Sequence, residues 1–166
     1  MRLFVAIRLS DELKKELIGT MHVLKKLGVK GSYVPADNLH VTLAFIGETR
    51  DKEAVIRAME RVSFTPFRLS VRELGTFGDI LWAGVKGNQG LKGLAKEIRA
   101  QLDAAGIPCD RKEFVPHITL VRRMGGTLPK GFPGPKADMM VSGISLMKSE
   151  NRNGKTVYTE IYKAGR

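Results

Sequence analysis

The 166-residue sequence predicts one domain that mixes helices and strands and is built from two similar halves around a cleft. Three observations carry that expectation. Apolar, β-rich runs are interleaved with amphipathic runs at helical spacing. The order strand, helix, loop, His-bearing strand occurs twice, a repeat of about half a chain and far too long for a solenoid. The two His-bearing strands, "NLHVTLAFIG" and "FVPHITLVRR", share the phrase His, apolar residue, Thr, Leu, with His40 and His117 lying 77 positions apart. Two related halves pack about a pseudo-two-fold axis, which brings equivalent positions together. The length suits a single bilobal domain over 1–166.

"RLFVAIRL" at 2–9 is apolar and β-rich, a buried strand. Ser10 is a good N-cap, and Asp11 and Glu12 follow where the helix dipole favours negative charge. Leu13, Leu17, Met21 and Leu24 recur at helical spacing, and Gly28 stops the helix. "GSYVPADN" reads as loop and "LHVTLAFIG" as a strand. "DKEAVIRAMERV" is a second helix, with Ala54, Val55 or Ile56, and Met59 inward. "FRLSVRELGTFG" and "ILWAGVKG" are two strands around a Gly-containing turn. "GLKGLAKEIRAQLDAAG" places Leu91, Leu94, Ile98 and Leu102 on one face and ends at Gly106, a third helix. "HITLVRR" is the second His-strand, and the Gly/Pro-rich "TLPKGFPGPKA" a connecting loop. The chain closes with two strands, "DMMVSGISLMKSE" and "KTVYTEIYKA", joined by a turn at Asn151–Gly154.

Composition narrows the function. Lys and Arg number 28 against 17 Asp and Glu, a net charge of +11 and a pI near 10.0, which favours polyanionic partners and nucleic acid first. No run approaches a membrane span, and the N-terminal segment turns charged too quickly for a signal peptide. Cys109 is the only cysteine, so no internal disulfide forms; a cytoplasmic protein is expected, with Cys109 a small buried side chain and not a nucleophile.

On a strand, residues i and i+2 share a face. His40 and Thr42 therefore point one way and Val41 and Leu43 the other; His117 and Thr119 likewise oppose Ile118 and Leu120. If the halves face each other, two imidazoles and two hydroxyls surround one cavity. That set suits hydrolysis of a strained phosphodiester. One imidazole deprotonates the attacking water, the other protonates the leaving oxygen, and the hydroxyls donate to the non-bridging oxygens. With 3 His and 9 Thr in the chain, chance gives about 0.16 His-x-Thr matches, so a pair at equivalent points of a repeat is meaningful. His22 lacks the phrase and reads as an ordinary helix side chain. Neither His-strand carries a His, Cys or carboxylate two positions from its histidine, so a zinc site and any cofactor are not expected.

These motifs resemble the two-histidine phosphoesterases, and within them the RNA 2′,3′-cyclic phosphodiesterases, also called the 2′-5′ RNA ligase family. The resemblance covers nearly the whole chain: "RLFVAI", "VPADNLHVTLAFIG", "GTFGDILWAGV", "FVPHITLVRR" and "SLMKSENRNGKTVYTEIY" each match a family segment. One departure is Tyr33, where Trp is usual. The resemblance implies an α+β fold of two pseudo-symmetric lobes, each an antiparallel sheet backed by helices, with both His-x-Thr motifs in the central cleft. It implies metal-independent opening of RNA 2′,3′-cyclic phosphate ends to 2′-phosphates, with 2′-5′ RNA ligation as a possible second activity. His40 is then the proton donor to the leaving 3′ oxygen, His117 the proton acceptor that activates water, and Thr42 and Thr119 hold the phosphate. The two motifs are too alike for the residues themselves to assign those roles. The expected partner is RNA with a cyclic phosphate end, or a nucleoside 2′,3′-cyclic phosphate, bound by a monomer.

Supporting residues carry weaker signals. Phe45 and Arg122 both stand five positions after their His, suited to stacking on a base and pairing with phosphate. Strict alternation turns both away from the His face and favours Arg123; a bulge reverses that. The family pattern favours Arg122. Tyr33 is a candidate for stacking on a nucleobase, and Arg111 and Lys112 for a positive rim. Phe45 and Trp82 read more as core than as ligand contacts. Two rivals remain: a binding module that holds a nucleotide or RNA end without chemistry, and a phosphodiesterase acting on 2′-5′ oligonucleotides or another cyclic nucleotide, such as a cyclic ADP-ribose derivative.

Overall fold

The computed structural model describes residues 1–86 and 88–165; Gly87, with which the expected strand "ILWAGVKG" ends, and Arg166 lie outside the described residues. The elements in chain order are β1 (Arg2–Arg8), α1 (Asp11–Lys26), β2 (Lys30–Tyr33), β3 (His40–Glu48), α2 (Lys52–Glu60), β4 (Phe67–Phe77), β5 (Ile80–Val85), α3 (Gln89–Ala104), β6 (His117–Gly125), β7 (Lys136–Val141), β8 (Gly143–Arg152) and β9 (Lys155–Gly165).

The strands form two antiparallel sheets, one in the order β3-β1-β8-β9 and the other β2-β6-β5-β4-β7. The fold is α+β, as the sequence leads one to expect. The duplicated halves occupy matching places. β1 lies beside β3 in one sheet, and β5 beside β6 in the other. Arg8 pairs with His40 and Ala6 with Thr42; Gly84 pairs with His117 and Trp82 with Thr119. β3 and β6 approach each other directly, so the two His-bearing strands meet where the sheets meet.

The helices form where capping and periodicity ask for them. Ser10, Asp51 and Asn88 accept from the backbone N–H groups of Leu13, Ala54 and Leu91, each satisfying an otherwise orphaned donor of the first turn. Leu13, Leu17, Met21 and Leu24 of α1 are buried, as are Leu91, Leu94, Ile98 and Leu102 of α3. In α2 the inward set is Val55, Ala58 and Met59, so Ala54 is not part of it. α3 touches strands of both sheets, β3 and β4, and packs on α2. One contiguous hydrophobic cluster accordingly draws on both sheets and all three helices. β1 is buried on both faces: Leu3, Val5 and Ile7 enter that cluster, whereas Phe4 and Ala6 enter a smaller one with Met147 on the opposite face.

Two expectations need correction. Residues 31–33 are not loop. They belong to β2, which pairs with β6 at the edge of the second sheet although it comes from the first half of the chain. Lys30, Gly31 and Ser32 are exposed and show no apolar alternation, so backbone pairing, and not side-chain pattern, makes this strand. The run "DMMVSGISLMKSE" is not one strand. It breaks at Ser142: Val141 pairs with Phe67 in one sheet and Gly143 with Gly165 in the other. The closing turn holds Asn153 and Gly154 both at positive φ, 53° and 80°, as a two-residue hairpin turn requires.

Candidate active site

His40 opens β3 and His117 opens β6, each followed at i+2 by its threonine. Val41, Leu43, Ile118 and Leu120 are buried in the core, so both imidazoles and both hydroxyls face the opposite side. The same irregularity then occurs in both copies. On β3 the pairing with β1 steps from Ala6–Thr42 to Val5–Ala44, leaving Leu43 as an extra residue. On β6 the pairing with β5 steps from Trp82–Thr119 to Leu81–Val121, leaving Leu120 extra. Leu43 with Ala44, and Leu120 with Val121, are consecutive buried residues. A bulge of this kind reverses the parity of the residues directly after it. Phe45 and Arg122 therefore turn into the cleft. Arg123, with φ at +52°, is exposed and does not line it.

The resulting cleft has a volume of about 460 Å³, within the range of small-molecule sites. His40, Thr42, Phe45, His117, Thr119 and Arg122 line it together. Its cations are Arg2 and Arg122, and no carboxylate lines it among the described residues. Arg2 also sits over the Phe45 ring, its guanidinium carbon 5.0 Å from the centroid.

The two imidazoles are oriented alike. Nδ1–H of His40 donates to Asn38 O at 2.7 Å, and Nδ1–H of His117 donates to Val115 O at 2.8 Å. A carbonyl only accepts, so Nδ1 carries the proton in both rings and Nε2 is left for chemistry. His40 Nε2 lies 2.9 Å from Thr42 Oγ1. Aromatic rings hold each imidazole: Phe4 at 4.9 Å and Tyr158 at 5.3 Å around His40, Phe77 at 5.2 Å and Trp82 at 6.4 Å around His117.

Their surroundings differ in one respect. Burial holds the His40 pKa below its ordinary value; the bond to Asn38 opposes this, and the positive charges of Arg122 and His117 add to it. Asn38 is itself buried and its Nδ2–H donates to Thr156 O on β9 at 2.9 Å, so the carbonyl that orients His40 is anchored to the closing hairpin.

Other sequence candidates fall elsewhere. Tyr33 does not reach the cleft. It pairs across strands with Val121, whose side chain is in the core, and neighbours across a ladder share a face. Its hydroxyl donates to Val29 O at 2.6 Å, and its ring lies 4.7 Å from Lys25 Nζ. Arg111 is engaged by both carboxylate oxygens of Asp103, and neither it nor Lys112 lines the cleft. Cys109 is half-buried with its thiol pushed up chiefly by burial, and His22 is exposed on α1. Sequence reasoning missed Arg2, Tyr158 and Asn38. Alternation along "RLFVAI" is the available signal for Arg2, since it shares a face with Phe4; the hairpin "KTVYTEIY" carries none, because its partner strand decides which face meets the cleft.

A family model described as the 2′-5′ RNA ligase superfamily matches residues 10–153. An RNA 2′,3′-cyclic phosphodiesterase of Thermotoga maritima is 33% identical over 132 residues, covering 74% of this chain and 70% of that protein. The protein of the same name from Escherichia coli K12 is 32% identical over 167 residues, covering 96% of this chain and 93% of its own. A crystal structure of E. coli LigT complexed with 3′-AMP superposes with a TM-score of 0.85 at 30% identity, covering 99% of this chain and 97% of the other.

Proposed function

The chain belongs to the 2′-5′ RNA ligase superfamily, and on that premise we propose that it is an RNA 2′,3′-cyclic phosphodiesterase that opens cyclic phosphate ends to 2′-phosphates without a metal ion. The observation that carries this reading is the convergence of His40, Thr42, His117, Thr119 and Arg122 on one cleft free of carboxylates among the described residues.

The chemistry follows from the two Nε2 atoms. His117 Nε2 takes a proton from water as its oxygen bonds to phosphorus. The bond from phosphorus to O3′ breaks on the opposite side, and His40 Nε2–H gives its proton to O3′. The phosphate stays on O2′, His117 leaves charged and His40 neutral, and exchange with solvent resets both. Thr42 and Thr119 hydroxyls donate to the non-bridging oxygens, and Arg122 offsets their charge. Each proton-transfer group contributes about 10²–10⁴-fold. His40 must arrive protonated, yet burial, with the Arg122 charge adding to it, holds its pKa down in the free enzyme. The anionic substrate opposes the Coulombic part, so binding is coupled to proton uptake at His40. A ribose hydroxyl in place of water turns the same steps into 2′-5′ ligation.

The proposal extends to a monomer working as one unit over 1–166 in the cytoplasm, since both motifs come from one chain and a lone Cys109 suits a reducing compartment. Among the described residues no helix is long and apolar enough to cross a membrane. Incubation with a cyclic-phosphate-ended RNA in EDTA tests the reaction: a new 2′-phosphate end is expected, and it should vanish in His40→Ala and in His117→Ala. Full turnover in either variant refutes the mechanism. Tight binding without turnover supports the binding-module rival, and mononucleotide release from 2′-5′ chains supports the other.

A further inference from the structure

The inner face of the first sheet continues beyond the cleft. β1 pairs with β8 in unbroken register from Arg2–Ser149 to Ala6–Ser145, so Arg2, Phe4, Ala6 and Arg8 share one face. Arg2 and Phe4 line the cleft. Arg8 is the direct partner of His40 across the β1–β3 ladder, and it lines a second groove of about 290 Å³ with Lys14, Ser145, Glu160 and Lys163. Ser145 and Lys163 are themselves register partners. This groove therefore begins at the β1–β3 rung that carries His40 and lies between that end of the sheet, α1 and β7.

Its charge is three cations to one carboxylate. Glu160 accepts from the buried Ser145 hydroxyl at 2.6 Å and lies 3.5 Å from an Arg8 guanidinium nitrogen, which braces Arg8 in place. Among the described residues Lys14 and Lys163 are in no ion pair. Met140, 60% exposed, adds apolar surface to the wall.

We infer that this groove carries the RNA strand upstream of the reacting end, with Arg8, Lys14 and Lys163 holding its backbone phosphates. The inference rests on the reaction proposed above. A terminal cyclic phosphate occupies both the 2′ and 3′ oxygens, so the chain leaves the cleft only through the 5′ oxygen, and the next phosphate lies on the same nucleoside. Arg8, on the rung of His40, meets that phosphate, and the two lysines meet those that follow. A nucleoside 2′,3′-cyclic phosphate has no such phosphates and gains nothing from the groove.

The test compares kcat/KM for a cyclic-phosphate-ended pentanucleotide and for a nucleoside 2′,3′-cyclic phosphate across a salt series. The wild type should prefer the pentanucleotide. In Arg8→Gln/Lys163→Gln that preference should fall about tenfold, and the logarithmic salt slope for the pentanucleotide should flatten by about 1.4, some 0.7 per lost phosphate contact on a single strand. Because Arg8 is paired with Glu160, Lys14→Gln/Lys163→Gln tests the same path with that ion pair intact, and the preference should fall again. Wild-type preference and slope in both variants overturn the inference while leaving the reaction standing. Failure of the wild type to turn over either substrate overturns both.

Discussion

Gly75 of β4 is paired with Trp82 of β5, and the indole lies across the place where a side chain on Gly75 would be. A Cβ built there meets Trp82 Cζ3 at 2.8 Å, with Cη2 and Cζ2 closer still. Ordinary contact begins at 3.4 Å, so Cζ3 must withdraw by 0.6 Å and the other two atoms by more. Trp82 is packed against Phe77 at 5.0 Å and His117 at 6.4 Å, so the displaced ring presses on the aromatic support of the imidazole. Gly75→Ala should cost about 1–3 kcal/mol of stability through overpacking. A 1 Å misplacement of a reacting group costs about 10²-fold, so a displacement of this size should lower kcat by about tenfold or more. Gly93 is the matched control: it lies within α3, where a Cβ would have nothing within 4 Å, and Gly93→Ala should stabilise by about 1 kcal/mol with activity unchanged. Turnover of a nucleoside 2′,3′-cyclic phosphate and thermal unfolding read both effects. A Gly75→Ala enzyme with wild-type kcat refutes the claim that the Trp82 ring positions His117.

The bulge on β6 predicts unequal arginines: Arg122→Gln should raise KM and lower kcat at least tenfold, whereas Arg123→Gln should stay within twofold, measured by steady-state kinetics on the same substrate. Leu120→Ala removes a fully buried side chain at that bulge and should destabilise by about 2–5 kcal/mol in denaturant unfolding. Because the folded pKa of His40 lies below the 6.5 of an ordinary imidazole, the unfolded chain takes up this proton first. Its contribution to stability is present above pH about 6.5 and is lost as pH falls from there through the folded value. Unfolding free energies of wild type and His40→Gln should accordingly converge on acidification between those two values; a constant difference from pH 7.5 to 5 would count against a depressed His40. Removing one cause of the depression, as in Arg122→Gln, should move the His40 titration upward in an NMR pH series.

Much of the site is legible one strand at a time. His40 with Thr42, and His117 with Thr119, share faces because alternation is a property of any extended backbone, and the apolar residues between them say which face is buried. The helices are equally local, with Ser10 and Asn88 as caps and leucines at helical spacing. Other features depend on which strand pairs with which. Leu43 and Leu120 are bulged residues, yet an apolar residue at a bulge looks the same in sequence as one in a regular strand. Only the ladder with β1 or β5 shows that parity reverses, and with it that Phe45 and Arg122, and not Arg123, enter the cleft. β2 forms from exposed residues because β6 offers an open edge, and this carries Tyr33 to the core side. The run through Met139, Val141 and Ile144 is broken by Ser142 and Gly143, a local turn signal that does not tell that the strand beyond it joins the other sheet. Arg2 and Tyr158 reach the cleft because β1 and the closing hairpin lie side by side in one sheet, and the depressed pKa of His40 arises only once the ring is covered by neighbours distant in the chain. Periodicity and capping act over a few residues and are written in local order; pairing, register and burial are collective, and only the assembled sheets decide them.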